Sequence, residues 1–247
     1  MMSVMDDKNA ALPGNASAYD LANLPAAEPS VLTGKRILFL GSSVTYGAAS
    51  QGQSFVDLFA ALDSVQATKE AISGTTLVDR PSTWAEQMFG NGDSYVTRLQ
   101  KYDSHTDFDA IVFQLSTNDA TTHQPLGEIS SSFDPSDFDV LTITGALEFI
   151  ASYCAHHWAA PLVFYTGSYY ESPEYSDMVT RLRELAEKWH FAVIDLFSDS
   201  AFNAIPRADY TLFMADPIHP TKAGYLRWWY PEMKAQLIST LSTVSQA

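Results

Sequence analysis

Cysteine is almost absent: the 247 residues contain one, Cys154. An intramolecular disulfide is therefore excluded, and without a cysteine–histidine cluster the sequence offers no zinc site. Cys154 sits in an apolar stretch of helical character, where a buried free thiol is expected. No apolar run approaches the length of a membrane span. Residues 1–11 lack the basic and apolar regions of a secretory signal, so a cytoplasmic protein without membrane contact is expected. Positive charge is also scarce: 14 Lys and Arg stand against 29 Asp and Glu, a formal net charge of −15, with a pI near 4.5. Such a surface repels phosphate backbones, which argues against nucleic acid as the partner.

What is present is a globular composition, 46% hydrophobic and 13% aromatic. Residues 1–33 are rich in Ala, Asn, Pro and Asp without a sustained apolar period. They are expected to form an arm, extended or disordered, lying along the domain or a neighbouring subunit. From residue 34 to 247 the pattern is that of one domain. Short apolar runs at Ile37–Leu40, Thr68–Ile72, Ala110–Leu115, Leu162–Tyr165 and Phe191–Leu196 predict buried parallel strands. Between them lie amphipathic stretches at Phe55–Leu62, Ile143–Trp158 and Met178–Trp189, then one over Ala223–Leu241 expected to break at Pro231. The alternation predicts an α/β fold: a flavodoxin-like, doubly wound, five-stranded parallel sheet between two helical layers. Two long segments, Thr76–Asn91 and Asn118–Asp139, read as functional loops.

In such a sheet, ligands bind beyond the carboxyl ends of the strands. Ser42-Ser43 follows the first strand, Gly74 the second and Asn118 the third. A strand order of 2-1-3 makes those ends neighbours, grouping a hydroxyl, a closely approachable backbone N–H and a carboxamide. These are the parts of an acyl-transfer site. The base is sought among six histidines. Only His219 has a promising setting, Asp216-Pro217-Ile218-His219-Pro220. There a carboxylate three residues ahead can reach Nδ1 when the chain turns, leaving Nε2 for the nucleophile. Taken singly, each piece has a plainer role. Ser43 can cap a helix, Asn118-Asp119 can form a turn and Asp216 can solvate a loop. A nucleotide-binding site is disfavoured because the loop after the first strand lacks a glycine-rich phosphate cradle.

Gly41-Ser42-Ser43-Val44-Thr45-Tyr46-Gly47 resembles the first block of the SGNH (GDSL-like) hydrolase family. Gly74 within Ala71–Leu77 resembles the second block, Ser116-Thr117-Asn118-Asp119 the third, and Asp216-Pro217-Ile218-His219 the fifth. The resemblance runs from about residue 34 to 241. It implies a metal-free, cofactor-free serine esterase with Ser43 as nucleophile, Asp216 and His219 completing a triad, and an oxyanion hole from the Ser43 and Gly74 N–H groups and the Asn118 side chain. Two positions depart from the family pattern. Ser42 stands for an Asp, which changes hydrogen bonding beneath the active loop. Ser116 stands for a Gly, which adds a side chain beside the oxyanion hole. The expected substrate is a small-molecule or carbohydrate ester with a short acyl group, acetyl above all. A lysophospholipase or thioesterase with the same triad and a non-catalytic binding module on the same fold are the alternatives. Trp84 and His123, in the two long segments, are the expected substrate contacts. His156-His157 is expected to end a helix, and Arg227–Tyr230 to pack against the sheet.

Overall fold

Period-two alternation organises the sheet. In β1 (Arg36–Gly41), Leu38 and Leu40 pack into one apolar layer and Ile37 and Phe39 into the other, all fully buried. A strand covered on both faces reads as an unbroken apolar run, and this one does. The computed structural model describes residues 8–244. Along the chain follow α1 (Ser43–Tyr46), α2 (Phe55–Asp63), β2 (Gln66–Ala71), α3 (Thr83–Phe89) and α4 (Tyr95–Leu99). Next come β3 (Ala110–Gln114), α5 (Thr117–Thr121), α6 (Ile143–His157), β4 (Leu162–Tyr165), α7 (Pro173–Trp189) and β5 (Ala192–Ile194). The C-terminal part holds α8 (Ser200–Asn203), α9 (Arg207–Phe213), α10 (Lys222–Gly224), a π-turn (Tyr225–Trp229) and α11 (Tyr230–Val244).

All five strands are parallel, in the order β2-β1-β3-β4-β5. The expected three-layer, doubly wound fold is the one observed. Helices α4, α6 and α7 pack on one face through Tyr95, Leu147, Ile150 and Leu182. Helices α2 and α11 cover the other through Phe55, Phe59, Met233 and Leu237. Helix α2 begins where the sequence directs it: Ser54 caps the N-terminus and Asp57 answers with a 2.7 Å bond from the Ser54 N–H, a capping box. The register brings Gly41 opposite Ala71, and Gln114 opposite Tyr165, so the carboxyl ends of the strands open on one edge.

Three expectations change. The C-terminal helix does not break at Pro231. The π-turn before it carries the Tyr230 N–H to the Tyr225 carbonyl, and the wider turn accommodates a residue that has no N–H to give. The Thr76–Asn91 segment is not all loop. Ser82 caps α3 by accepting from Ala85 N–H at 3.1 Å, and Gly90 ends it in the left-handed region. The described part of the arm does not run extended: residues 13–23 wind into three 3₁₀ turns laid along the domain. Residues 1–7 of the arm and 245–247 lie outside the described residues.

His156 and His157 end α6, each bonded through Nδ1 to the carbonyl four residues back. Trp229 is fully buried against Phe55, and Trp228 stacks on Phe202. Cys154 is buried and free, and burial raises its pKa. Among the described residues no helix is long and apolar enough to cross a membrane.

Candidate active site

The chain leaves β1 through Ser42, whose backbone lies outside the helical region at φ −120°, ψ −137°, and enters α1 at Ser43. Helix α1 is one turn long, stopped by Gly47 at φ +87°, where a left-handed C-cap favours glycine. As the first helical residue, Ser43 has an N–H without an intrahelical acceptor. Gln114, at the end of β3, holds this turn from below. Its buried Oε1 accepts from the Ser42 N–H at 2.9 Å and from the Thr45 hydroxyl at 2.8 Å. The Tyr165 hydroxyl adds a 2.6 Å bond to Thr45.

His219 arrives from a hairpin. Met214 and Pro220 form an antiparallel bridge, and the Ala215 N–H donates to the His219 carbonyl at 2.9 Å. Within the turn, Asp216 Oδ1 accepts from the Ile218 and His219 N–H groups at 2.8 and 2.9 Å. That is the local turn chemistry of an Asp. Its carboxylate also meets the imidazole, with Oδ2 2.8 Å from Nδ1. A carboxylate can only accept, so Nδ1 carries the hydrogen and Nε2 presents its lone pair. Ser43 Oγ lies 2.8 Å from that Nε2. For Asp216, partial burial works to raise the pKa. The His219 hydrogen bond and charge and the two backbone N–H groups outweigh it and hold the carboxyl below its ordinary value.

Gly74 and Asn118 follow β2 and β3, the two strands that flank β1. Gly74 sits at φ +80°, where a side chain is disfavoured. A Cβ there would stand 2.4 Å from the Trp84 ring. Trp84 therefore lies directly on Gly74, half-exposed and edge-on to Phe89. Asn118 Nδ2 donates to the Thr75 carbonyl at 2.8 Å, which orients the amide. His123 is placed differently. It follows α5 at φ +51°, is exposed, and its ring faces Glu174 at 3.4 Å rather than Ser43 or His219.

The two departures from the family pattern have structural roles. Ser42 binds Gln114. Ser116 is fully buried and caps α5 by accepting from the Asn118 N–H at 3.2 Å. Its hydroxyl thus anchors the helix that carries Asn118.

Three supporting residues escaped the sequence reading. Asp119, completely buried, accepts from the Leu77 and Val78 N–H groups at 2.8 and 3.1 Å, tying the segment after Gly74 to α5. Burial pushes its pKa up to about 6, partly offset by Ser116 and the two backbone donors. Arg98, also fully buried, donates to the Gly41 carbonyl and the Thr75 hydroxyl at 2.9 Å each, to the Glu70 carbonyl at 2.9 Å and to the Asp93 carbonyl at 3.2 Å. Gln114 is the third. Most of their partners lie tens of residues away in sequence, so no local spacing announces these roles.

A model of the GDSL-like lipase/acylhydrolase family matches residues 39–227. Several solved structures share the fold. A Lactobacillus plantarum protein superimposes with a TM-score of 0.67 at 23% identity, covering 84% of this chain and 98% of its own. A GDSL-like lipase candidate from Bacteroides ovatus gives 0.58 at 15% identity, covering 84% and 99%. The acetyl xylan esterase AlAXEase gives 0.55 at 14% identity, covering 81% and 98%. A search of proteins with curated functions finds no match.

Proposed function

Because the chain belongs to the GDSL-like lipase/acylhydrolase family, we propose that it is a serine esterase working through an acyl-enzyme. The observation that carries this reading is the continuous relay from Ser43 Oγ to His219 Nε2 and from His219 Nδ1 to Asp216, both links at 2.8 Å. Ser43 attacks the ester carbonyl while His219 takes the hydroxyl proton. Asp216 keeps the imidazole in the tautomer that can do so and stabilises the imidazolium. The developing oxyanion draws on the Ser43 N–H, the Gly74 N–H and the side-chain amide of Asn118. His219 then protonates the departing alcohol, and water repeats the sequence on the acyl-enzyme.

The substrate half of the proposal is a short acyl group, acetyl first, on a carbohydrate or small alcohol. Trp84 supports it: a half-exposed indole against Gly74 offers a flat apolar face next to the carbonyl site. An acetyl xylan esterase among the proteins of the same fold agrees with this choice. His123, facing Glu174, contributes less to the reading than Trp84.

The test is hydrolysis of p-nitrophenyl acetate, butyrate and octanoate by wild type and Ser43→Ala side by side. Wild-type turnover should be highest on acetate and vanish in the variant. Asn118→Ala should lower kcat by roughly 10²–10³. Equal rates for wild type and Ser43→Ala would refute the nucleophile, and an optimum at octanoate would refute the short acyl group.

A further inference from the structure

The arm that precedes the family-matched residues touches both halves of the proposed relay, and one side chain makes the link. Asn15 is 4% exposed. Its Nδ2 donates to the Ala49 carbonyl at 2.7 Å and to the Asn9 carbonyl at 2.8 Å. Its Oδ1 accepts from the Lys222 N–H at 2.9 Å. Ala49 lies just past the turn that carries Ser43, and Lys222 lies three residues after His219. Lys222 opens α10, so its N–H has no acceptor within the helix and takes one from the arm.

Neighbouring contacts reinforce the link on both sides. On the serine side, Gln53 holds the arm with two bonds, Nε2 to the Tyr19 carbonyl at 2.7 Å and Oε1 from the Leu21 N–H at 3.0 Å. On the histidine side, Gly14 presses so closely on the hairpin that a Cβ would fall 2.4 Å from the Thr221 hydroxyl. Asp20 pairs with the Lys222 ammonium. The tip of the hairpin is a surface turn, whose two strands meet in a single bridge beside the packed Ile218 and the Thr221 bonds to Leu212 and Phe213.

We propose that Asn15 is a positioning residue that fixes the distance between Ser43 and His219 by bracing the His219 hairpin against the Ser43 segment. The inference rests on the esterase reading of the site. Displacing a general base by about an ångström costs up to roughly a hundredfold in rate, and the Asn15 amide reaches both sides, through Nδ2 to Ala49 and through Oδ1 from Lys222.

The experiment compares wild type, Asn15→Ala, Gly14→Ala and Leu32→Ala on p-nitrophenyl acetate, with amide hydrogen exchange at Lys222 in wild type and Asn15→Ala. Leu32 is a buried residue of the same arm with no polar link to the site, and it controls for lost stability alone. Both Asn15→Ala and Gly14→Ala should lower kcat roughly ten- to hundredfold with KM within about threefold. Leu32→Ala should leave kcat unchanged below its melting temperature. The Lys222 amide should exchange slowly in wild type and quickly in Asn15→Ala. Wild-type kcat in a folded Asn15→Ala or Gly14→Ala protein would overturn the proposal. If those variants fail to fold, a rapidly exchanging Lys222 amide in wild type would overturn it by itself. A wild type inactive on all esters would sink the esterase reading instead, and the exchange measurement would still judge the brace.

Discussion

Gly74 tolerates little change. Its φ of +80° costs a residue with a Cβ about 1–2 kcal/mol, and that Cβ would also overlap the Trp84 ring at 2.4 Å. Gly74→Ala should therefore lower both Tm and kcat. Trp84→Ala, at a half-exposed ring, should change Tm little. In the double variant the steric part disappears and the backbone part stays, so the losses should be less than additive by about 1 kcal/mol in urea unfolding. Strict additivity would mean that the indole does not rest on Gly74. The same scale shows what a sequence can disclose. Asp216 and His219 are three residues apart and turn on each other, so their pairing is local and legible. Gln114, Arg98 and Asp119 act across 72, 57 and 42 positions respectively, and only the folded chain brings those partners together.

At the scale of elements, the strands were legible because burial on both faces leaves a dense apolar run. β2 is the least regular of the five, with mostly half-buried side chains on an edge. Its expected bounds, Thr68–Ile72, sit one to two residues late. The break expected at Pro231 failed for a different reason. A proline's missing N–H disrupts a helix only in its interior, and Pro231 falls in the first turn of the helix that starts at Tyr230 after the π-turn. Arg98 is what ties the elements around the site. One guanidinium spans the end of β1, the strand β2 and the Thr75 turn, and stacks 5.1 Å from the Tyr95 ring. Arg98→Met would leave the carbonyls of Gly41, Glu70 and Asp93 without this donor. The expected loss is about 3–5 kcal/mol, read from the urea midpoint. Arg98→Lys should recover only a small part, because one ammonium cannot reproduce a planar fork. A midpoint unchanged in Arg98→Met would remove the residue from any bracing role.

For the whole molecule, acidity decides how stability varies with pH, and one buried carboxyl group, Asp119, pulls against two others, Asp216 and Asp109. Asp119 has a folded pKa of about 6, above the ordinary carboxyl value of 3.8. Between those limits the folded chain holds a proton that the unfolded chain has released. Its stabilising contribution is therefore complete below about pH 4 and is lost as the pH rises through 6. Asp216 and Asp109 have folded values below 3.8. Their contribution is present above pH 4 and is lost as the pH falls through the depressed values. The formal charge of −15 at pH 7 adds self-repulsion that eases as carboxylates protonate. These three trends place the maximum of stability on the acid side of neutrality, near pH 4. In urea unfolding from pH 4 to 8, the wild-type midpoint should fall between about pH 4 and 6 and level off above that. In Asp119→Asn the fall should flatten, since the group that titrates is gone. The variant should also be weaker throughout, because a carboxamide has one oxygen to offer two backbone N–H groups, those of Leu77 and Val78. A wild-type midpoint that rises steadily from pH 4 to 8 would mean that Asp119 is ionised at no cost, and that the tie between α5 and the Gly74 segment is held by an ordinary carboxylate.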